Sequence, residues 1–191
     1  TAVVTTPSSP TSGVTGLTIG ASSTLRWTIS NGSCAASTDD VVINVDDLPT
    51  VADAGIDQTL CNSTIATLAG NTPTVGTGAW SVVSGTAVVT TPSSPTSGVT
   101  GLTIGASSTL RWTISNGSCT ASTDDVVINV DVPATIADAG PDQSLCNITT
   151  ATLAGNTPAV GTGTWTVTSG TATITTPSSP SSGITGLTIG T

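Results

Sequence analysis

The side chains that could carry chemistry in this sequence are almost all cysteines and aspartates. The chain of 191 residues has four Cys, two cationic residues and 11 acidic residues, every one of them Asp, and it contains no His, Glu, Lys or Tyr. Most general bases and activated nucleophiles are drawn from the missing types. Nothing in the sequence would activate its many Ser and Thr hydroxyls. We therefore expect no catalytic residue and no enzymatic activity.

The four cysteines occupy two regularly repeated positions. Cys34 and Cys119 are 119 − 34 = 85 residues apart, and Cys61 and Cys146 are 146 − 61 = 85 apart. Regular spacing of this kind is typical of disulfides formed in an oxidising compartment. We favour a bond between Cys61 and Cys119, with the partners of Cys34 and Cys146 outside the chain; closing that loop would stabilise by about 4 kcal/mol. The alternative joins neighbouring repeats, Cys34 to Cys61 and Cys119 to Cys146.

Acidic side chains collect at two points where strand-like alternation breaks. Carboxylate oxygens are the ligands that Ca²⁺ prefers, so the sequence raises calcium as a candidate cofactor that would stiffen these points without being needed for folding. The alternative is that the same groups only solvate a linker, because no DxDxDG loop or bidentate Glu is present. The candidate ligands are Asp46, Asp47, Asp53, Asp57, Asp131, Asp138 and Asp142.

Charge and hydropathy limit the partners of the chain. Its formal net charge is −9, and only Arg26 and Arg111 are cationic, so nucleic acid is not an expected partner. No apolar run approaches the roughly 20 residues that span a bilayer, and we expect no membrane insertion. The chain starts in the middle of a pattern, and we expect it to be an interior piece of a longer protein.

The elements that position these residues repeat along the chain. Residues 1–47 match residues 86–132 except at two positions, Ala35 against Thr120 and Asp47 against Val132, and the period is 85 residues. A period of this length suits one small β-sandwich domain better than one coil of a solenoid. Pro49 and Pro133 mark the boundaries. We predict the second half of one module at 1–47, a complete module at 48–132 and the first part of a third at 133–191.

The complete module is predicted to be all-β, with about seven strands and no helix. Short runs rich in Val, Thr and Ile are separated by Gly, Asn and Pro clusters, and Asn116-Gly117 is the strongest hairpin signal. The phrase Leu110–Ile114 alternates so that Leu110, Trp112 and Ile114 point inward. Val82 is placed inward as well. The predicted core anchors are Trp80 and Trp112, facing each other across the two sheets, with Trp27 and Trp165 in the same role in the other copies.

Two motifs carry a resemblance to a known family. The segments Ala52-Asp-Ala-Gly-Ile-Asp-Gln58 and Ala137-Asp-Ala-Gly-Pro-Asp-Gln143 resemble the opening of PKD-type immunoglobulin-like domains. The phrases VTGLTIG at 99–105 and LRWTISNGSC at 110–119 are similar to modules repeated in giant surface adhesins of gliding Bacteroidota. The resemblance implies a secreted or cell-surface adhesin, exported in that phylum by the type IX route. Ile56 departs from the pattern, which has the Pro retained at Pro141.

These observations together predict a structural or adhesive stalk that extends a terminal adhesive domain from the cell. Near-identical copies favour this function, because a stalk gains reach with every repeat. The expected partners are neighbouring repeats of the same chain, with surface glycans or other copies in a filament as further candidates. Two alternatives stay open at this point: a subunit of a self-assembling extracellular filament, and a carbohydrate-binding accessory module of a secreted enzyme.

Overall fold

A computed structural model of the chain describes residues 1–189. The chain divides into two compact units, Thr1–Val130 and the part from Asp131 onwards. Within the described residues every regular element is a β-strand, so the predicted all-β class is confirmed. Residues 1–189 contain no helix with the length and apolarity needed to cross a membrane. The module boundaries at 47 and 132 stay predictions.

The first unit begins with two antiparallel pairs. Strand β1 (Val3–Val4) pairs with β2 (Val14–Thr15), and β3 (Ala21–Ile29) pairs with β4 (Ser37–Val45). The β3–β4 hairpin turns at Gly32, whose φ of 54° suits glycine. These strands are the second half of a repeat, and they expose side chains that the complete module buries. Trp27 is 41% exposed and Val41 is 56% exposed.

The rest of the first unit is a complete two-sheet sandwich of seven strands. One sheet has the order β5-β11-β10-β7 and the other β6-β9-β8. This distribution of seven strands defines an immunoglobulin-like β-sandwich. The strands are β5 (Gln58–Cys61), β6 (Ala66–Thr67), β7 (Thr77–Ser84), β8 (Val88–Val89), β9 (Gly98–Thr100), β10 (Ser107–Ser115) and β11 (Ser122–Asp131).

The chain that leads into β5 runs in the same direction as β11. The amides of Ala52 and Ala54 donate to the Ser122 and Asp124 side chains, and the amide of Val127 donates to Asp57 Oδ1. The two residues of each pair are 70 positions apart in the sequence, and this constant offset shows that the two segments are parallel. Continued through β5, this register brings Cys61 to the level of Asp131, at the end of β11. Sequence patterning predicts a strand from Asp53, but the strand begins only at Gln58. Before Gln58, hydrogen bonds between main-chain amides and side chains take the place of the main-chain hydrogen bonds of a sheet.

The core of the sandwich lies entirely within residues 52–130. Along β10 the side chains alternate, with Leu110, Trp112 and Ile114 fully buried, which confirms the predicted inward face. Arg111 lies on the outer face and forms a bidentate ion pair with Asp125, at 2.7 and 2.8 Å. The 85-residue segment therefore has a hydrophobic core of its own.

Two predicted features of the core are wrong in detail. Trp80 and Trp112 do not face each other across the sheets; they are cross-strand neighbours in one sheet, because β7 and β10 align them in register. Their ring centroids are 5.0 Å apart at an interplanar angle of 38°. Val82 is 41% exposed. It lies on β7, the outermost strand of its sheet, next to a register shift in the pairing with β10.

The prediction that all four tryptophans are core anchors holds only in the complete module. Trp80 and Trp112 are 4% and 0% exposed, whereas Trp27 is exposed and Trp165 is half-buried. Trp112 is covered by β7 and by the loops of the opposite sheet. Residues 1–47 contain no segment equivalent to β7 and none equivalent to the loop that carries Asn71, so Trp27 lacks this cover. The same sequence therefore buries its ring in one copy and exposes it in the other.

The second unit repeats the smaller sheet of the sandwich. Strands β12 (Ala151–Thr152), β13 (Thr173–Ile174) and β14 (Gly183–Thr185) form a sheet with the order β12-β14-β13. This sheet reproduces β6-β9-β8 of the complete module at a spacing of 85 residues. Residues 162–169, the counterpart of β7, are not a strand within the described part of this unit. In the complete module β7 pairs with β10, whose counterpart is not among residues 131–189.

Candidate functional site at the junction

The structure does not bring Cys61 and Cys119 together. Cys119 lies in the β10–β11 hairpin, before β11 begins, whereas Cys61 is level with the end of that strand. The 10 residues of β11 extend about 33 Å at ~3.3 Å per residue. A disulfide allows only about 7 Å between Cα atoms, so the predicted bond within the module is wrong. All four cysteines have free thiols in this structure.

The alternative bond between Cys34 and Cys61 meets the same difficulty. Cys34 lies in the β3–β4 hairpin, and β4 then extends for nine residues before the chain enters the next module. Cys61 lies at the far end of that next module. Both cysteines are therefore remote from the place where the two modules meet.

Two modules meet where the end of β4 contacts the β10–β11 hairpin. Asp46 accepts hydrogen bonds through Oδ2 from the amide of Ser118 at 2.6 Å and from its hydroxyl at 2.9 Å. The side-chain amide of Asn116 donates to the carbonyl of Asp47 at 2.8 Å. Cys119 Sγ donates to the carbonyl of Asp46 at 3.6 Å. We call this set of contacts the junction; it places Asn116, a residue of the predicted hairpin turn, in a contact between modules.

The chain that crosses the junction is anchored again almost at once. Thr50 Oγ1 accepts from the amides of Thr74 and Val75, both at 2.9 Å, and the Thr50 amide donates to the Val75 carbonyl at 3.1 Å. Only Leu48 and Pro49 lie between the two anchored points. Proline fixes its own φ, so the connection retains little conformational freedom.

Glycine is favoured at position 117 for two reasons. Its φ is 51°, in the left-handed region that disfavours residues with a Cβ. A Cβ built there would also overlap the carboxylate of Asp46. Gly32 occupies the same position of the first copy with a φ of 54°, and a Cβ there would meet nothing within 4 Å. The two glycines differ because Gly117 lies against Asp46 in the junction, whereas Gly32 has no such neighbour.

The seven candidate calcium ligands do not converge. Asp46 is engaged by Ser118, Asp57 by the Val127 amide, and Asp53 by the Gly55 amide at 2.9 Å. Asp138 makes the equivalent bond to the Gly140 amide at 2.8 Å. Within residues 1–189 no three acidic, His or Cys side chains lie close enough together to hold a metal ion. Calcium binding stays a prediction. The side chains of Asp46, Asp53, Asp57 and Asp138 act in the structure as hydrogen-bond acceptors.

The junction should weaken in acid. Hydrogen bonds from the Ser118 amide, and then from its hydroxyl, lower the pKa of Asp46 below its usual value. A carboxylate with a lowered folded-state pKa stabilises above its ordinary pKa, and that stabilisation is lost as the pH falls through the lowered value. We expect the Ser118 amide resonance to shift with this titration in NMR spectra.

The matched variants are Asp46→Asn and Asp131→Asn, which change the same position in successive copies. Asp46→Asn should abolish the acid-dependent shift of the Ser118 amide, whereas Asp131→Asn should leave it unchanged. An unchanged titration in Asp46→Asn would show that the carboxylate does not bind Ser118 in solution.

Asn71 is a structural residue that the sequence reasoning missed. Its Oδ1 accepts from Trp112 Nε1 at 3.1 Å and from the Asp53 amide at 3.0 Å, and its Nδ2 donates to the Val51 carbonyl at 2.8 Å. The side chain therefore ties the entering segment to the buried Trp112. The one sequence signal was its repetition as Asn156, which makes the same two backbone contacts in the second unit.

A cavity of about 450 Å³ lies in the second unit beside Trp165. Among its lining residues are Asn156 and Gly163, the counterparts of Asn71 and Gly78. In the complete module those two residues contact the ring of Trp112. The cavity thus corresponds to the space that a core tryptophan fills in a complete module, and it carries no argument for a carbohydrate site.

Comparison with known proteins adds two distant structural similarities. No family model matches the chain, and no curated protein sequence matches it. Among solved structures, the chain is similar to the PKD domain from KIAA 1837 protein, at 22% identity over 49% of this chain and 92% of that one, with a TM-score of 0.38. It is also similar to the human desmocollin-1 ectodomain, at 10% identity over 81% of this chain and 34% of that one, with a TM-score of 0.33. The immunoglobulin-like assignment follows from the strand order of the sandwich.

Proposed function

We propose that the chain is part of an extracellular stalk in which immunoglobulin-like modules are joined end to end as a semi-rigid rod. In such a stalk the modules supply length, and the joints supply stiffness. The stalk would present an adhesive domain away from the cell surface. Export to the surface of a Bacteroidota cell is the part of this proposal that depends on the resemblance of the Ala52–Gln58 and LRWTISNGSC motifs.

The observation that carries the proposal is the junction. A flexible tether needs no contacts between successive modules, yet here the end of one module is bound by the hairpin of the next. Asp46 and Asp47 are held on one side, Thr50 on the other, and only two residues lie between them. Short, anchored connections restrict the relative motion of domains.

The differences between copies fit this function. The junction uses the side chain of Asp46, which is repeated as Asp131, but only the carbonyl of Asp47, which is replaced by Val132. A main-chain acceptor is present in any residue, so position 47 can vary without loss of the contact. The contact residues Asn116, Gly117 and Ser118 are repeated as Asn31, Gly32 and Ser33.

Small-angle scattering of the full chain tests the rod. We expect an elongated particle whose longest dimension changes little between low and moderate ionic strength, since the junction includes neutral and main-chain partners. A compact particle, or a distribution typical of freely jointed domains, would contradict the proposed function.

The substitution Gly117→Ala tests the junction itself, with Gly32→Ala as its control. Both introduce the same backbone strain, of the order of 1–2 kcal/mol, into identical hairpins. Only Gly117→Ala places a Cβ against Asp46. Residual dipolar couplings should fit one alignment tensor across residues 1–130 in the unmodified chain and in Gly32→Ala. In Gly117→Ala the residues before 47 and after 52 should need separate tensors; a single tensor there would show that the contact does not set the joint.

A further inference from the structure

The repeat places a second cysteine next to the one already in the junction. The 70-residue offset of the hydrogen bonds that precede β5, continued along that strand, puts Cys61 level with Asp131 at the end of β11. Asp46 occupies the position equivalent to Asp131 in the preceding copy, since 131 − 85 = 46. A preceding module that has its own β5 therefore carries its own copy of Cys61 beside Asp46. Cys119 of the following module already contacts the carbonyl of Asp46 at 3.6 Å.

The direction of the Asp46 carbonyl brings the two thiols to the same edge of the sheet. The carbonyl of Val45 accepts from the Gly20 amide at 2.6 Å, on the side of β3. Successive carbonyls of a strand point to opposite sides, so the carbonyl of Asp46 points to the other edge. That edge is where β5 lies against β11 in the complete module. Cys119 Sγ donates to this carbonyl and so lies at the edge along which β5 of a preceding module would run.

The exposure of the cysteines agrees with this arrangement. Cys34, Cys61 and Cys146 are exposed, whereas Cys119 is half-buried. Cys119 has a preceding module against it. Cys61 lies on β5, which within residues 1–189 is the outermost strand of its sheet.

We propose that a disulfide links each module to the next, from the cysteine at the end of β5 to the cysteine of the following β10–β11 hairpin. This inference rests on the proposed end-to-end array and adds a covalent link to its joints. Two thiols exchange with one disulfide of a small-molecule oxidant such as oxidised glutathione, which leaves as two reduced thiols while the S–S bond forms. In this chain Cys119 and Cys61 each take part in a different junction. Cys34 and Cys146 belong to two more.

The test completes the first module with the chain's own sequence. Because Thr1 is equivalent to Thr86, a copy of residues 48–85 placed ahead of Thr1 restores β5 of the first module and its cysteine. After equilibration with a glutathione redox buffer, non-reducing peptide mapping should find the added cysteine joined to Cys119. The unextended chain should keep four reactive thiols under the same conditions. The variant Cys119→Ser should abolish the bond, and Cys34→Ser should not.

A second extended chain tests the same bond independently, in case the first extended chain does not fold. A copy of residues 107–132 added after Thr191 completes the third module and supplies a hairpin cysteine for Cys61. Mapping should then join Cys61 to that added cysteine. A bond from Cys61 to Cys119, a bond from Cys34 to Cys61, or five free thiols in both extended chains would overturn the inference.

Scattering of the same extended chains separates this inference from the proposed function. Free thiols in an elongated, stiff particle would refute the disulfide but would still support the proposed stalk function. A bond to Cys119 in a particle that scatters as freely jointed domains after reduction would support the disulfide and refute the rod, because the non-covalent junction would then not hold the joint.

Discussion

Replacement of Trp112 by alanine should destabilise the complete module by about 3–5 kcal/mol, the usual cost of removing a buried aromatic side chain. Trp112 is fully buried, stacks at 5.0 Å against Trp80 and donates its indole N–H to Asn71. The substitution leaves a cavity and also removes a partner of the Asn71 carbonyl oxygen. Scanning calorimetry should show the melting temperature falling by at least about 12 °C, given ~4–8 °C per kcal/mol for a domain of this size.

The same substitution in the preceding copy is a close control. Trp27 lies in an identical ten-residue phrase but is 41% exposed, so Trp27→Ala should change the free energy of unfolding by less than about 1 kcal/mol. An equal effect of the two substitutions would contradict the described core. A stable Trp112→Ala protein that had lost binding to a glycan would instead favour the carbohydrate-binding alternative.

A methyl group added at Gly78 should destabilise the module by about 1–3 kcal/mol, as overpacking of a filled core does. Gly78 lies on β7, and a Cβ there would overlap the six-membered ring of Trp112. In a strand interior Gly→Ala is otherwise favourable by roughly 0.5–1 kcal/mol, so a loss of stability would have to come from the ring. Chemical denaturation of Gly78→Ala, compared with the unmodified chain, measures this difference.

Gly163 is the matched control, since 163 − 78 = 85. A Cβ at Gly163 would meet only Cγ of Pro158 at 3.9 Å, because no second tryptophan stands over it. Gly163→Ala should therefore be neutral within about 0.5 kcal/mol. In a Trp112→Leu background the cost of Gly78→Ala should fall, since the smaller side chain leaves room. A cost that persisted there would show that Gly78 is required for the backbone and not for the ring.

The features predicted correctly from sequence depend on local information. The seven strands, the Asn116-Gly117 hairpin and the inward face of β10 each follow from residues close to one another in the chain, and the 85-residue period follows from direct comparison of the copies. Turn chemistry and period-two alternation act over a few residues, and the sequence displays both directly.

The features that were wrong or missed depend on the register between distant strands. Whether Trp80 lies across the sheets from Trp112 or beside it is decided by the pairing of β7 with β10, about 30 residues apart. The pairing of Cys61 with Cys119 was wrong because β5 runs parallel to β11, and nothing in the spacing of the cysteines reports strand direction. Asn71 was missed because its role depends on three partners in two segments distant from it in the chain, the entering segment at Val51 and Asp53 and strand β10 at Trp112.

The junction has a genetic consequence. The hairpin sequence Asn-Gly-Ser-Cys occurs at 31–34 and at 116–119, and each copy is followed by the accepting aspartate, at Asp46 and Asp131. In the proposed array either copy can therefore precede or follow the other. Unequal recombination that inserts or deletes a whole unit of 85 residues recreates the same joint at the crossover point. Array length can therefore vary between descendants while every connection in the array keeps its chemistry.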